Sequence, residues 1–340
     1  MIKRLFVTVA ILLAAAASFA AQGERDFLLT DGGTLYTIES VDSDSVPHLK
    51  ASSARLLLLT VDEGGKKTVS AVPATLVGGM HFNPALNYDA ESDTLFVFWQ
   101  HRFNGGLASE VVFNAYSKGT WGPATALDDA NYDIRENLRI AVTRKVEVRN
   151  EDGSRMLVPE LTVHAIWWHT HGRSEEARYA MLTIEKGSVT SIALRNMSDF
   201  VSDRRSYLIN GSYVTDLLRH PAVFEAGSRD AVDIVFGDVT TNTMHRVTLK
   251  PVAQGRLRIP IGVRDIGFEP PSAKVNSTGP ISAISSPTSN RMVYHYDSDG
   301  AVRYVMFDGR TWSGERTLAL SQTLSRDAAI DVLRRMLNTE

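Results

Sequence analysis

Polar side chains that could bind a ligand follow a recurring aromatic position in this chain at the same short spacing. The aromatic residues are Trp99, Trp167, Phe236 and Tyr296, and the residues that follow them are His101, His169, Asp238 and Ser298. Imidazole, carboxylate and hydroxyl groups beside aromatic rings suit polyhydroxylated or anionic ligands. The spacing therefore predicts a ligand-binding rim.

The full candidate rim contains ten residues, which are His81, Asn83, His101, Arg102, His169, His171, Arg219, His220, Asp238 and Asp297. One alternative is that they are ordinary polar residues of a loop face. Another is a metal site on His169 and His171, whose side chains lie on one side of an extended strand because side chains alternate. That site needs a third ligand, from His101 or His220. We expect neither metal nor cofactor, and no catalytic residue is assigned.

The elements that must position these residues repeat along the chain. A proline followed by a strand that ends in an aromatic residue occurs in three distant places, at Pro84, Pro221 and Pro280. The segment from Phe113 through Trp121 to Leu127 also matches the segment from Tyr304 through Trp312 to Leu318. Such a repeat, with turn residues between short strands, predicts the four-stranded blades of a β-propeller. Trp121 and Trp312 are then expected to pack between blades.

The predicted fold class is all-β, a β-propeller with five blades (six as an alternative) and a short C-terminal helix. The predicted blades cover residues 26–77, 79–128, 134–194, 218–259 and 279–320 of a single domain, 21–340. Two long connectors, 196–217 and 260–278, are expected to cross one face. The helix is placed at about 325–337, capped by Ser325, with Ile330, Leu333 and Leu337 as its apolar stripe.

The first 20 residues have the pattern of a signal peptide. Lys3 and Arg4 precede an apolar run, and Ser18-Phe19-Ala20 supplies small residues at a cleavage site. No later segment is apolar enough for a transmembrane helix. With 0 Cys and a net charge of −3, the mature chain is expected to be periplasmic or secreted, without disulfides or a nucleic-acid partner.

Two turns carry a family resemblance. The segments 117–121 and 308–313, each with glycine before a Thr-Trp pair, resemble the Asp-box turn of bacterial sialidase-like propellers. Arg258-Ile259-Pro260 is similar to the Arg-Ile-Pro motif of sialidases, but it lies after the fourth blade, whereas in that family the motif precedes the first Asp box. The resemblance implies a propeller, and for a sialidase it would imply an arginine cluster with acidic residues. Strand starts at Asn83, Glu136 and His220 offer a single carboxylate where hydrolysis needs two.

The interpretation is an exported, non-catalytic propeller that binds a glycan or another cell-envelope component on one face. The first alternative is a divergent sialidase-like glycoside hydrolase. The second is a scaffold that recruits envelope proteins, which the long connectors would serve.

Overall fold

The computed structural model describes only part of the chain. The described residues are 25–30, 32–42, 54–76, 78–103, 108–128, 134–171, 174–185, 188–200, 206–209, 212–215, 218–225, 230–238, 243–268, 281–285, 291–298, 301–308, 313–321, 328–329, 332–333 and 336–337. The chain forms two compact units, Met1–Asn131 and Tyr132–Glu340. The predicted signal peptide lies outside the described residues.

Unit 1 contains two antiparallel sheets whose strands follow one another in chain order. The first consists of β1 (Arg25–Leu29), β2 (Leu35–Asp42), β3 (Ala54–Val61) and β4 (Lys67–Ala71). The second consists of β5 (Met80–Asp89), β6 (Thr94–Arg102), β7 (Ser109–Ser117), β8 (Thr120–Trp121) and β9 (Thr125–Ala126). Both sheets are meanders, because each short turn returns the chain beside the strand that it has just left.

Unit 2 contains a larger sheet, a hairpin and a further meander. The larger sheet consists of β10 (Ile134–Arg149), β11 (Arg155–His171), β12 (Ser174–Glu185), β13 (Ser188–Asn196), β16 (Leu218–Glu225), β17 (Val232–Asp238), β18 (Thr243–Gln254) and β19 (Leu257–Phe268). The hairpin is β14 (Ser206–Ile209) with β15 (Ser212–Thr215). The last meander is β20 (Ile281–Ser285), β21 (Met292–Ser298), β22 (Ala301–Phe307) and β23 (Arg316–Ala319).

The fold is all-β and of the β-propeller class, as predicted, because its sheets are built largely from groups of four consecutive antiparallel strands, the unit from which blades are made. The aromatic residues that defined the repeat lie in β6, β11, β17 and β21, each the second strand of its four-strand group; they are Trp99, Trp167, Phe236 and Tyr296.

The repeat in the blade tails is also visible in the backbone hydrogen bonds. After Trp121, the Gly122 N–H donates to the Ala115 carbonyl at 2.8 Å. In the last meander the equivalent Ser313 N–H donates to the Met306 carbonyl at the same distance. Matching sequence positions thus close the third and fourth strands in the same way. Trp312 itself lies outside the described residues.

A long hairpin joins the two halves of the larger sheet. It is formed by β10 and β11 and turns through Gly153 at φ 81°, a conformation that glycine adopts without steric cost. Near its tip, Glu147 and Val148 of β10 pair in parallel with Val252 and Ala253 of β18. The Asp152-Gly153 pair is a sequence signal of this hairpin turn, whereas nothing in the local sequence indicates the parallel pairing with a partner about 100 residues away.

Two structural differences concern the predicted connectors. The strand predicted to end at Ile259 continues as β19 to Phe268. Pro260 is accommodated because β19 is an edge strand that pairs only with β18 among the described strands, so proline removes no ladder hydrogen bond on its open side. The other connector contains the β14–β15 hairpin and a 3₁₀ turn, Met197–Phe200.

The C-terminal helix packs on the last meander. Residues 328–329, 332–333 and 336–337 are helical. Ala329, Leu333 and Leu337 are buried against Val293 and Val302. The stripe therefore begins at Ala329 among the described residues, while the predicted stripe residue Ile330 and the predicted cap Ser325 lie outside them.

Candidate functional site

Four of the predicted site residues come together at one end of the β5–β6–β7 sheet. His81 and His101 are direct cross-strand partners on β5 and β6. Their imidazole rings stack with centroids 4.5 Å apart and planes 4° from parallel. Asn83 and Arg102 lie beside them on the same two strands. We call this group, with Met80, Phe103 and Glu110, the His101 rim.

His81 is a buried member of the rim. Only 2% of its surface is exposed, although the sequence placed it in the candidate ligand-binding rim. The indole N–H of Trp99 donates to His81 Nδ1 at 3.0 Å, so a neutral His81 carries its proton on Nε2. The buried ring therefore supports His101 and does not itself meet a ligand.

His101 is held on three sides. Its Nδ1 lies 3.0 Å from Glu110 Oε1, its ring stacks on His81, and the Phe103 ring contacts it at a tilt of 49° with centroids 4.5 Å apart. Its Nε2 is buried without a hydrogen-bond partner among the described residues. A Cβ on Gly79 would lie 2.6 Å from this nitrogen, so only glycine allows the backbone to approach it here.

The remaining rim residues combine fixed polar groups with exposed apolar surface. The Asn83 amide donates to Gln100 Oε1 at 2.8 Å from a backbone in the left-handed region, with φ 52°. The Arg102 guanidinium carbon lies 5.2 Å from the centroid of the Phe82 ring, within cation–π range. Met80 and Phe103 are 39% and 40% exposed, and these two form the accessible apolar surface of the rim.

The other candidate residues lie in unit 2, and their common rim with His101 stays a prediction. His169 is on β11, opposite Glu176 of β12, and only 1% exposed. His171 ends β11, Arg219 and His220 are in β16, Asp238 ends β17 and Asp297 is in β21. Opposite-strand pairing puts the backbones of Leu218 and Asp238 together at one end of β16–β17. The side chains of these five candidate residues lie outside the described part.

The metal alternative on His169 and His171 stays a prediction, because the His171 side chain lies outside the described residues. Among them, no group of three or more His, Cys, Asp or Glu is arranged to hold a metal ion. Within the same residues, no helix has the length and apolarity that crossing a membrane requires.

A buried polar triad in unit 2 was missed by the sequence analysis. His164 Nδ1 lies 2.6 Å from the Tyr179 hydroxyl and its Nε2 lies 2.8 Å from Thr143 Oγ1, linking three neighbouring strands. Complete burial lowers the pKa of His164 to about 3 and raises the pKa of Tyr179 well above its ordinary value. The imidazole is therefore neutral, and it serves the core of unit 2.

Arg258, which resembled a sialidase arginine, is bound within the protein. Its Nε and second terminal nitrogen donate to the two oxygens of Glu160 at 2.6 and 2.8 Å. These hydrogen bonds raise the pKa of Arg258. This bidentate ion pair occupies the edge of the guanidinium with which a substrate carboxylate would form hydrogen bonds.

Comparison with known proteins gives only distant structural similarity. No protein-family model matches the chain, and no curated protein matches it. A thermostable family-43 glycoside hydrolase aligns at 11% identity and a TM-score of 0.40, over 88% of this chain and 94% of its own. The Bacillus subtilis arabinanase aligns at 10% identity and a TM-score of 0.31, over 84% of this chain and 95% of its own.

A third similar structure has a different chemistry. The prolyl oligopeptidase B of Galerina marginata aligns at 12% identity and a TM-score of 0.39, over 89% of this chain but only 37% of its own. Alignments at these scores assign no residue of this chain to a site. The three structures that we describe include no sialidase, so the sialidase-like resemblance rests on the two turns and Arg258 alone.

Proposed function

We propose that this chain is an exported propeller protein that recognises a saccharide of the cell envelope or its surroundings through the His101 rim. The observation that carries the proposal is the arrangement of His101 and Phe103. The imidazole contacts Glu110 through Nδ1 and stacks on His81, and the Phe103 ring, tilted by 49° beside it, is 40% exposed.

This arrangement has the two properties that recognition of a polyhydroxylated ligand requires. An exposed aromatic ring offers an apolar face to the carbon-bound hydrogens of a sugar ring. Arg102 and Asn83, each already oriented by a neighbour, offer donors for hydroxyl groups at its edge. Preorganised side chains lose little conformational freedom on binding, which favours affinity for a weakly bound neutral ligand.

A glycan array followed by calorimetric titration of the best-bound oligosaccharide tests the proposal. Phe103→Ala is expected to weaken binding about fivefold, and Arg102→Gln by a similar factor, from the loss of one aromatic contact or one hydrogen bond. Leu257→Ala is the matched control, because Leu257 is 63% exposed on β19 and belongs to no part of the rim. Equal affinity of wild type and Phe103→Ala would reject the rim as the site.

Hydrolysis of a glycosidic bond is the second candidate function. The similar structures include glycoside hydrolases, but this candidate depends on Glu110, the carboxylate that contacts His101. A hydrolase of the usual type needs a second carboxylate at about 5–9.5 Å from the first. Incubation with nitrophenyl galactosides and arabinosides separates the two functions. Aglycone release that Glu110→Gln abolishes would replace the binding proposal with a hydrolytic one.

Recruitment of an envelope protein remains the third proposal. It is distinguished in the same experiments, because a scaffold would show no glycan on the array and no aglycone release. A scaffold is expected to co-purify with one defined protein. Substitutions outside the His101 rim would remove this partner, whereas substitutions within the rim would not.

A further inference from the structure

A cluster of aromatic residues lies at the opposite end of β5–β7 from the His101 rim. Tyr88, Leu95 and Tyr116 are direct neighbours across β5, β6 and β7, and Trp121 of β8 is the next neighbour of Tyr116. Tyr36 of β2 packs on Tyr88 with ring centroids 5.8 Å apart, and Tyr116 packs on Trp121 at 4.9 Å. Leu95, between Tyr88 and Tyr116 in the sheet, is 1% exposed, whereas the four rings remain partly exposed.

One exposed carboxylate belongs to this cluster. The Tyr88 hydroxyl donates to Asp93 Oδ1 at 2.8 Å. Burial, and next the hydrogen bond to Asp93, raise the pKa of Tyr88 to about 12, so that this phenol is a stable donor at neutral pH. Asp93 also raises the pKa of Tyr36, after the larger effect of burial. The carboxylate is therefore close to two of the tyrosines.

The turn that carries Asp93 is rigidly placed. Its backbone is in the left-handed region, with φ 48°. The Ser117 hydroxyl donates to the Asp93 carbonyl at 3.1 Å, which ties this turn to the β7–β8 turn. Among the described residues, no lysine, arginine or histidine forms an ion pair with the Asp93 carboxylate. The cluster therefore presents a negative group beside four aromatic rings.

Aromatic faces carry partial negative charge and attract cations within about 6 Å of the ring centroid. A carboxylate without a cationic partner adds to that attraction, because opposite charges favour each other most where water is partly excluded. A methylated ammonium suits this surface better than a primary ammonium. Its methyl groups pack on rings and need no hydrogen-bond acceptors, and rings supply most of the cluster.

We propose that Tyr36, Tyr88, Asp93, Tyr116 and Trp121 form a binding site for a quaternary ammonium group, of the kind carried by choline. The site is independent of the His101 rim and of the function proposed for it.

Choline chloride is the probe, observed by saturation-transfer NMR on its methyl protons and by calorimetric titration. Its neutral isostere 3,3-dimethylbutan-1-ol has the same shape without charge, and ethanolamine has the charge without methyl groups. We expect choline to bind at least about fivefold more tightly than either, as cation–π attraction and apolar contact act together. Equal binding of choline and the neutral isostere would overturn the proposal, as would tighter binding of ethanolamine.

Two variants locate the site. Asp93→Asn keeps the acceptor for Tyr88 but removes the charge, and is expected to weaken choline binding about threefold. Trp121→Phe retains a smaller ring and is expected to weaken it two- to fourfold, roughly the difference between the two rings. Glu151→Gln is the control, because it removes one negative charge from an exposed residue of the β10–β11 turn. It should leave choline binding unchanged.

The outcomes separate this site from other ligands. Because Asp93 is exposed, its variant is expected to fold, and a wild-type melting curve with unchanged choline affinity would reject the proposal. Displacement of choline by galactose or maltose would instead indicate that the cluster is a saccharide site. That result would also reject the ammonium-binding proposal.

Discussion

The Trp99 indole N–H and His81 Nδ1 are joined by a buried hydrogen bond of 3.0 Å between β6 and β5. Trp167, at the equivalent place in β11, is equally buried, but its indole nitrogen has no hydrogen-bond partner among the described residues. The two tryptophans therefore share a position in the repeat and differ in a single polar contact.

This difference gives a matched pair of variants. Trp99→Phe leaves the buried His81 acceptor unpaired, whereas Trp167→Phe removes an already unpaired donor. Trp99→Phe is expected to lower the free energy of unfolding by about 1–2 kcal/mol more than Trp167→Phe. Denaturant unfolding of both variants measures it, and equal losses would mean that the hydrogen bond contributes nothing net.

Gly79 provides a second comparison. Gly79→Ala would place a Cβ 2.6 Å from His101 Nε2 and 2.7 Å from the Arg102 carbonyl, at φ 137°. We expect a loss of about 2–4 kcal/mol, since backbone strain and a steric clash act together. Gly65→Ala, at φ 80° with nothing within 4 Å, should cost about 1 kcal/mol from strain alone. Urea unfolding measures the loss in free energy of unfolding for both variants. Equal losses would show that the residues of the rim move to accommodate the methyl group.

Arg258 is expected to act in stability and not in ligand binding. Arg258→Ala would leave Glu160, whose side chain is 18% exposed, without its two donors. The expected loss is about 1–3 kcal/mol. Arg258→Lys should recover only part of it, because an ammonium cannot make the two-pronged contact. A double-mutant cycle with Glu160→Gln isolates the coupling, and a cycle that closes to zero would contradict the pairing.

The pH dependence of stability follows from His164. Its pKa is lowered from 6.5 to about 3 in the folded protein, so the unfolded chain binds the extra proton between these values. The effect of His164 on the free energy of unfolding is therefore absent above about pH 6.5, and below that pH it lowers this free energy by about 1.4 kcal/mol per pH unit down to about pH 3. His164→Gln should flatten this slope in unfolding measured from pH 7.5 to pH 5. An unchanged slope would assign the acid sensitivity to other groups.

The sequence predicted where strands lie in the chain better than it predicted which residues contact one another in space. The Pro-to-aromatic frame located the second strand of three four-strand groups, β5–β8, β16–β19 and β20–β23. Alternation, however, shows only on which side of a strand a residue lies. The sequence placed His81 in the candidate rim, but it gave no sign that the Trp99 indole and the His101 ring would enclose its imidazole.

His164 was overlooked for the same reason. It lies in an apolar run of β11 that is buried on both faces, so its neighbours Val163 and Ala165 gave no alternation to interpret. A histidine inside such a run is itself a signal, because burial without partners is costly for imidazole. The partners, Thr143 and Tyr179, come from two other strands, and only the sheet register identifies them.

Trp121 is less buried than the repeat predicted. The repeat predicted a tryptophan buried between blades, and the structure packs it on Tyr116 but leaves it partly exposed. A two-residue strand after a tight turn cannot cover both faces of an indole. The exposed remainder belongs to the surface for which we propose ammonium binding.

The parallel pairing of β10 with β18 also has a consequence for the order of folding during synthesis. Strands that follow each other in the chain can pair as they leave the ribosome. Glu147, in contrast, can form its parallel pairing only after Val252 has been synthesised. Such distant contacts delay folding, because a long loop loses entropy before any contact rewards it. Until then the tip of the β10–β11 hairpin presents an open edge, with Met156 and Leu157 beside it. Such an open strand edge exposes a nascent chain to misassociation.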